Sequence, residues 1–139
     1  MAKYGSNSLA ISVDNSSGAA QVMTSYITEV SGVEVEALLE ESHSFGDAWF
    51  ESLATGVRKG SDIELSGFFD DASSTGPDAI FNDVADGPAD STRTITITWG
   101  GSKTTSCETI ISKYTRTAVR NELTKFSVTL TPTGTITEA

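Results

Sequence analysis

The segment from Arg93 to Trp99 alternates strictly between large side chains and threonine. Its odd positions are Arg93, Ile95, Ile97 and Trp99, and every even position is Thr. Successive side chains of a β-strand point to opposite faces, so this pattern predicts a strand with one buried and one solvent-facing side. A helix would place the two isoleucines on opposite sides of its axis. The chain is therefore expected to be built around a half-buried sheet.

Similar alternation recurs along the rest of the chain. Six further strands are predicted from it, around Leu9, Ile11 and Val13; Val22, Tyr26 and Val30; Val33, Val35, Ala37 and Leu39; Ile63, Leu65 and Phe69; Ile110, Ser112 and Tyr114; and Phe126, Val128 and Leu130. Gly, Asn, Asp and Ser separate these segments, as is usual for turns between strands. The pattern predicts a mainly β fold, a sandwich or barrel of about seven to eight strands with one or two short flanking helices.

The segment after Asp47 is predicted to form the first of these helices. Asp47 is a suitable N-cap for residues 48–54, and Gly56 stands just past their end as a stop signal. Its apolar stripe would be supplied by Trp49, Phe50 and Leu53.

A second short helix is predicted from Pro77 to Ala85. Proline suits the first turn of a helix, where its missing N–H has no partner to lose. The apolar positions that follow are Ile80, Phe81 and Val84. The segment Val33–Glu41 stays open between strand and helix, because its second half consists of good helix formers.

The 139 residues fit a single domain spanning residues 1–139, without an internal repeat or linker. Exposed connections are expected at residues 15–20, 70–78 and 86–91. The polar ends, residues 1–8 and 132–139, are expected to be mobile arms that become ordered by adding to a neighbour's sheet edge. The first residues lack the apolar stretch of a signal peptide, and no window resembles a membrane span. The protein is expected in a cytoplasm, without a membrane partner.

Few side chains could carry chemistry. Cys107 is the only cysteine and His43 the only histidine. An intrachain disulfide and a His-His metal cluster are therefore excluded, and no motif around either residue marks a Cys–His catalytic pair. Cys107 is expected to be a small buried apolar side chain, and His43 to sit at a strand end that faces solvent or an interface. We predict neither enzyme activity nor a cofactor.

Two other patterns suggest a ligand only weakly. An acidic run comprises Asp70, Asp71, Asp78, Asp83, Asp86 and Asp90. Calcium favours such loops, but the EF-hand spacing is absent, so solvated loops are expected. The stretch Gly100–Thr104 ends in Lys-Thr without the first glycine of a phosphate-binding loop, and is predicted to be a hairpin turn.

The charge is unevenly distributed along the chain. Residues 1–90 carry 16 acidic and 3 basic side chains, whereas residues 91–139 carry 3 acidic and 6 basic ones, and the total is −10. This asymmetry either suits head-to-tail contact between identical copies or serves solubility alone. An acidic chain is unsuited to tight DNA binding. The basic residues Lys113, Arg116, Arg120 and Lys125 are instead expected to pair with acidic residues of a neighbouring copy.

Three motifs occur in order in the first half of the chain. They are Glu41-Ser42-His43-Ser44-Phe45-Gly46-Asp47, then Gly56-Val57, then Ile63-Glu64-Leu65-Ser66-Gly67-Phe68-Phe69-Asp70-Asp71. Together they resemble the signature of the major tail tube proteins of long-tailed siphophages, and the looser likeness extends from about Ser8 to Thr131. The matching positions are Phe45, Gly46, Asp47, Gly56, Gly67, Phe68, Phe69, Asp70 and Asp71. The resemblance favours a strand for Val33–Glu41.

The resemblance implies a virion protein that is assembled in the host cytoplasm. Six copies would form a ring, and stacked rings would form a hollow tail tube through which DNA passes without specific binding. Six copies at −10 each carry −60, which would repel the phosphate backbone. The implied partners are further copies of the chain, a tape-measure protein, a tail terminator and distal tail proteins.

The matching residues are expected to serve fold and assembly. Gly46 would permit the tight entry to the helix, Gly67 a bulge or a close backbone approach, and the phenylalanines would lie in the core. The chain departs from the family pattern at Ser42-His43, where Thr-Thr is common, and in the strand-like Gly32–Val35.

Two alternatives remain open. A β-sandwich binding module for carbohydrate or protein would need Tyr4, Trp49 and Tyr114 to form a ligand platform. A tube protein of a contractile tail or secretion system would share the fold and the rings.

Overall fold

A computed structural model of the chain describes residues 3–15, 17–73, 75–82 and 92–139. Within them lie a 3-10 turn at Ser6–Ser8, one α-helix, α1 (Pro77–Phe81), and ten strands. The strands are β1 (Ala10–Asp14), β2 (Ala20–Val22), β3 (Ile27–Ser31), β4 (Val35–Glu41), β5 (Ser52–Gly60), β6 (Ile63–Phe68), β7 (Thr92–Gly100), β8 (Lys103–Thr117), β9 (Lys125–Pro132) and β10 (Thr137–Glu138). The prediction of a mainly β fold is confirmed.

Eight of the strands form one antiparallel sheet. Its order is β2-β1-β7-β8-β9-β6-β3, and β10 pairs with β8. The chain passes from β2 at one edge to β3 at the other through residues 23–26. There the Met23 N–H donates to the Ile11 carbonyl at 2.9 Å, and the Phe68 N–H donates to the Tyr26 carbonyl at 2.9 Å. The single strand predicted around Val22–Val30 is therefore two strands, which together bridge β1 and β6 and curl the sheet around its core.

The alternation in β7 sets the position of the core. Arg93, Ile95 and Ile97 are buried, and the threonines between them are not. The core side chains are Ile11, Val13, Met23, Ile63, Leu65, Ile80, Phe81, Ile95, Ile97, Cys107, Ile111, Phe126, Val128 and Leu130. Buried Arg93 donates from Nη1 to the Asn15 carbonyl at 2.9 Å, so its charged head meets a backbone acceptor inside the fold. The strand predictions around Leu9, Ile63, Ile110 and Phe126 are confirmed by β1, β6, β8 and β9.

Helix α1 covers one part of this core. Ile80 and Phe81 are fully buried, and the Phe81 ring centroid lies 5.7 Å from that of Phe126. The Tyr114 hydroxyl donates to Asp78 Oδ1 at 3.0 Å, which ties α1 to β8. A helix beginning at Pro77 is confirmed; its predicted continuation to Ala85, and Asp83, Asp86 and Asp90, fall outside the described residues.

The predicted helix over residues 48–54 is wrong. The chain there runs through irregular backbone into β5, which pairs with β4 over nearly its whole length. Gly56 lies inside β5 with φ +82°, where residues 55–57 stand opposite Leu38 in a bulge, so this glycine does not end a helix. Pairing with β4 satisfies more backbone groups than a two-turn helix would, because a short helix leaves most of its terminal N–H and C=O groups unpaired. The strand prediction for Val33–Glu41 is confirmed.

The remaining turns follow their glycines. Gly100–Lys103 is a hairpin turn between β7 and β8, as predicted, with positive φ at Gly100, Gly101 and Ser102. In the C-terminal segment, Thr137 and Glu138 pair with β8. The mobility of this segment before assembly stays a prediction. No helix in the described ranges is long and apolar enough to cross a membrane.

Candidate assembly surface

Strands β4 and β5 form a separate two-stranded sheet outside the main one. Every residue from Glu34 to Lys59 is exposed. An isolated two-stranded hairpin is only marginally stable in water. We call this segment, residues 34–60, the hairpin, and it is the part of the described chain with the least packing against the core.

The root of the hairpin is fixed to the main sheet. Gly32 has φ +79°, and a Cβ there would stand 2.1 Å from the Asp62 carbonyl oxygen. Ser61 Oγ donates to the Gly32 carbonyl at 2.7 Å. A Cβ on Gly60 would meet Ile136 Cδ1 at 2.5 Å, so the hairpin root also touches the segment before β10. These close crossings set the direction in which the hairpin leaves the sheet.

The turn at the end of the hairpin is held by local hydrogen bonds. The Ser42 N–H donates to the Glu51 carbonyl at 2.7 Å, and the Ser44 N–H donates to Asp47 Oδ2 at 2.7 Å. The Asp47 N–H in turn donates to the Ser44 carbonyl at 3.0 Å. Asp47 therefore closes a tight turn within the motif, although it caps no helix. Gly46 has no neighbour within 4 Å of where a Cβ would be, and no helix begins there.

Large apolar side chains line both faces of the hairpin. The exposed ones are Val35, Leu38, Leu39, Phe45, Trp49, Phe50, Leu53 and Val57. Leu38 and Leu39 are neighbours in β4, so they point to opposite faces. Neither face packs on the core, and exposed apolar patches of this kind are typical of surfaces that bind protein, membrane or ligand.

Two of the motif's phenylalanines lie outside the core, contrary to the prediction. Phe45 is fully exposed at the end of the hairpin, and Phe68 is 39% exposed. Phe45 belongs to the connection between β4 and β5, and the alternation of β6 buries Leu65 and Gly67 while turning Phe68 outward. Phe69 is half-buried, and its N–H donates to the Thr124 carbonyl at 2.9 Å.

Gly67 permits a close backbone approach, as predicted. A Cβ there would stand 1.9 Å from the Tyr26 carbonyl oxygen and 2.8 Å from its carbonyl carbon. The pairing of β3 with β6 is irregular beside it, between Ile27 and Glu29. Asp70 then accepts from the Ala72 N–H at 2.7 Å and begins the turn toward α1.

The structure therefore separates the sequence motifs. Phe45, Gly46 and Asp47 lie at the end of the hairpin, and Gly56 lies in its bulge. Gly67, Phe68, Phe69, Asp70 and Asp71 lie at and beyond the end of β6, away from the hairpin root. The sequence patterns did not predict the exposed apolar surface of the hairpin, because they assigned residues 48–54 to a short flanking helix. The adjacent Leu38 and Leu39 were the sequence signal for this surface. Successive side chains of a strand point to opposite faces, so two consecutive leucines place apolar side chains on both faces.

The residues with reactive side chains form no site in the described part of the chain. Cys107 is buried, as predicted, and burial raises the pKa of its thiol, with a further rise from the Glu108 carboxylate. His43 lies just past the end of β4, exposed as predicted, with its ring edge-on to Phe50 at 4.4 Å between centroids. Among the described residues, no three or more His, Cys, Asp or Glu side chains come together as metal ligands would.

The three aromatic residues of the suggested ligand platform are not brought together. Tyr4 lies over Gly100 and Gly101, whereas Trp49 is on the hairpin. Tyr114 is half-buried on β8 and bonded to Asp78. Burial raises the pKa of the Tyr114 phenol, the Asp78 hydrogen bond and charge raise it further, and Arg116 lowers it.

No family model and no curated protein sequence matches this chain. Its fold is nevertheless shared with chains of several tail-like particles. One belongs to the tail of an empty gene transfer agent particle with C6 symmetry, with a TM-score of 0.74, 18% identity and 99% of both chains covered. A second belongs to the 6-fold symmetrised baseplate of the anti-feeding prophage, with a TM-score of 0.78, 11% identity, and 100% of this chain and 97% of that chain covered.

A third belongs to the sheath/tube terminator of an extracellular contractile injection system, PVC. Its TM-score is 0.75 at 12% identity, over 100% of this chain and 98% of that chain. At these identities the likeness establishes the fold, which is the tail-tube-like fold that the motifs led us to expect. It includes particles with a contractile apparatus and does not single out the siphophage type.

Proposed function

We propose that this chain is a structural subunit of the tail tube of a phage or phage-like particle. Copies form rings of six, and the rings stack into a hollow tube that conducts DNA. The observation that carries this proposal is the hairpin, which extends from a tail-tube-like fold and has exposed apolar side chains on both of its own faces. In a stack of rings the hairpin would be covered by another copy.

The energetics favour coverage of the hairpin over its exposure. Burying one large apolar side chain contributes about 1.5–3 kcal/mol. Burying only Trp49, Phe50 and Leu53 in one contact would contribute roughly 5–9 kcal/mol before the cost of association. A ring makes six such contacts at once, so the stacked form is favoured even if each contact is weak.

The six-fold ring and the DNA conduit rest on different observations. Two of the similar chains come from particles described with C6 or 6-fold symmetry. The acidic charge supports a conduit, because six copies at −10 carry −60 and would repel the phosphate backbone along the lumen. The whole chain then acts as one domain in the virion, with no enzymatic step. Its partners are neighbouring copies and, by resemblance, a tape-measure protein, a terminator and distal tail proteins.

The motifs favour the non-contractile siphophage type. The likeness to a chain of a contractile injection system supports a second candidate, the inner tube of a contractile particle. Particles purified with this chain separate the two candidates, because only the second would carry a sheath around the tube.

The proposal is tested by negative-stain electron microscopy and light scattering of the purified chain across concentration. A triple variant, Trp49→Ser, Phe50→Ser and Leu53→Ser, removes apolar area from the hairpin without touching the core. Its critical concentration for assembly is expected to rise at least about a hundredfold. The matched control, Trp49→Phe, Phe50→Leu and Leu53→Met, keeps the surface apolar and should assemble. A wild-type chain that stays monomeric at high concentration, or a triple variant that assembles normally, contradicts the proposal.

A further inference from the structure

The two ends of strand β6 lie next to segments of different composition: the hairpin precedes Ile63, and the connection from β8 to β9 lies near Phe68, where Asp70 and Asp71 also follow β6. The hairpin root joins β6 at Ile63, and the other end of β6, Phe68, pairs with Lys125. At about 3.3 Å per residue these ends are roughly 17 Å apart. Screening extends over about 8–10 Å at physiological ionic strength. Charges in the hairpin are therefore screened from charges in the connection between β8 and β9 of the same copy.

The far part of the hairpin, residues 38–55, is acidic. We call it the acidic tip. It carries four acidic side chains, Glu40, Glu41, Asp47 and Glu51, and no Lys or Arg. These carboxylates flank the exposed apolar side chains of Leu39, Trp49, Phe50 and Leu53.

The end of β8, the connection that follows it and the first residue of β9 have the complementary composition. We call residues 113–125 the basic end. It carries four basic side chains, Lys113, Arg116, Arg120 and Lys125, and one acidic one, Glu122. Val119 and Leu123 are exposed between them, at 53% and 69%. Arg116 forms a salt bridge with Asp78 at 3.5 Å, and in the described ranges Arg120 and Lys125 form none.

We propose that the basic end of one copy is the docking surface for the acidic tip of the next copy. The two surfaces are complementary in two respects. The apolar side chains at the centre of one surface can pack on those of the other, and the cations around the basic end face the carboxylates around the acidic tip. An apolar centre with a charged rim is the usual anatomy of a protein interface. A contact between two different surfaces of the same chain builds an open stack along an axis when the rotation between the copies does not close into a ring.

This inference rests on the proposed function and names the surface through which its rings would stack. Charge complementarity also decides between occupants of the basic end. Nucleic acid is the other polyanion that could bind there, but the net charge of the chain is negative, which disfavours binding to phosphate. The acidic tip of another copy offers carboxylates to the basic side chains and also offers apolar side chains that can cover the exposed Val119 and Leu123.

The test begins with charge reversal at the basic end. The variant Arg120→Glu with Lys125→Glu is expected to raise the critical concentration for tube formation about tenfold at low ionic strength, since attraction becomes repulsion at each contact. The matched control, Arg120→Lys with Lys125→Arg, changes the same two residues and keeps their charge. It should assemble like the wild type. Circular dichroism at concentrations below assembly verifies that all variants keep the fold.

A second set of reversals makes the test specific. Glu40→Lys with Glu41→Lys and Glu51→Lys leaves Asp47 as the one carboxylate of the acidic tip, so it reverses the sign of the tip's charge and should impair assembly in the same way. Combining both reversals in one chain should restore tubes, because every contact again joins opposite charges. Mixing the two singly reversed proteins should also yield tubes, in which an unaltered tip meets an unaltered basic end and a reversed tip meets a reversed one.

Each result decides the inference. Normal tubes from the Arg120→Glu, Lys125→Glu variant would overturn it and leave the tail tube proposal standing, as would failure of the combined variant to assemble. A different result would assign the basic end to nucleic acid. In that case the wild type would bind double-stranded DNA, and the Arg120→Glu, Lys125→Glu variant would no longer bind it but would still assemble normally. A wild type that never assembles would remove the tail tube proposal and this inference together.

Discussion

Replacing Gly67 by alanine is expected to loosen the attachment of β3 to β6. The added Cβ would stand 1.9 Å from the Tyr26 carbonyl oxygen, 2.8 Å from the Tyr26 carbonyl carbon and 3.0 Å from Ile27 Cα. All three atoms belong to the backbone, so no flexible side chain can yield. The same Tyr26 oxygen accepts from the Phe68 N–H at 2.9 Å. Relief of the overlap therefore moves an acceptor that the sheet already uses.

The expected magnitude follows from these contacts. Overpacking a well-packed site costs typically 1–3 kcal/mol, and a backbone clash with loss of a hydrogen bond places Gly67→Ala near the upper end, about 3 kcal/mol. For a chain of this length the entropy of unfolding is about 0.3 kcal/mol/K, so the melting temperature should fall by about 10 °C. Thermal and denaturant unfolding of the non-assembled protein measure this loss.

Gly46→Ala is the matched control for this substitution. Nothing lies within 4 Å of the position its Cβ would take. Its free energy of unfolding should stay within about 0.5 kcal/mol of the wild type. Equal stabilities for Gly67→Ala and Gly46→Ala would refute the argument that β3 crosses Gly67 too closely for a side chain.

Two further predictions concern side chains of β8. Tyr114→Phe removes the hydrogen bond from the Tyr114 hydroxyl to Asp78. Because the acceptor is a carboxylate, the free energy of unfolding should decrease by about 1.5 kcal/mol and the melting temperature by about 5 °C. An unchanged melting temperature would show that this bond does not hold α1 to β8. The pKa of the Cys107 thiol is raised in the folded chain above its ordinary value of 9.0. As pH rises, the thiol therefore ionises in the unfolded chain before it ionises in the folded chain. The free energy of unfolding is unaffected by this group below pH 9.0 and decreases above it. Unfolding measured from pH 8 to pH 10.5 should show a smaller loss for Cys107→Val than for the wild type, and equal losses would contradict the assignment.

Strand positions were largely predictable because alternation is a local signal. Residues 93–99 repeat with a period of two, and the structure buries Ile95 and Ile97 as the pattern requires. The Gly100 turn followed from its glycines, and Gly67 from its place inside a strand. In each case, residues close together in the sequence are enough to predict the feature. In a strand, for example, the face to which a side chain points follows from its place in the alternation.

The hairpin was not predictable in the same way. Residues 48–54 have an N-cap, an apolar stripe and a terminal glycine, all of which favour a helix. Those local preferences are each worth only a fraction of a kcal/mol to about 1 kcal/mol. Pairing of β5 with β4 outweighs them, and that pairing depends on residues up to 25 positions apart, Val35 and Gly60.

By itself the sequence determined the mainly β class of the fold, the buried face of the main sheet and the acidic balance of the chain. Only the tertiary structure decided that β2 and β3 lie at opposite edges and together curl the sheet, and that the motif residues Phe45 and Phe68 point into solvent. It also decided that the acidic tip and the basic end lie beyond opposite ends of β6. The physical reason is that alternation reports which side of a strand is apolar, whereas contact with the core or exposure for a partner depends on distant segments that pack against that side.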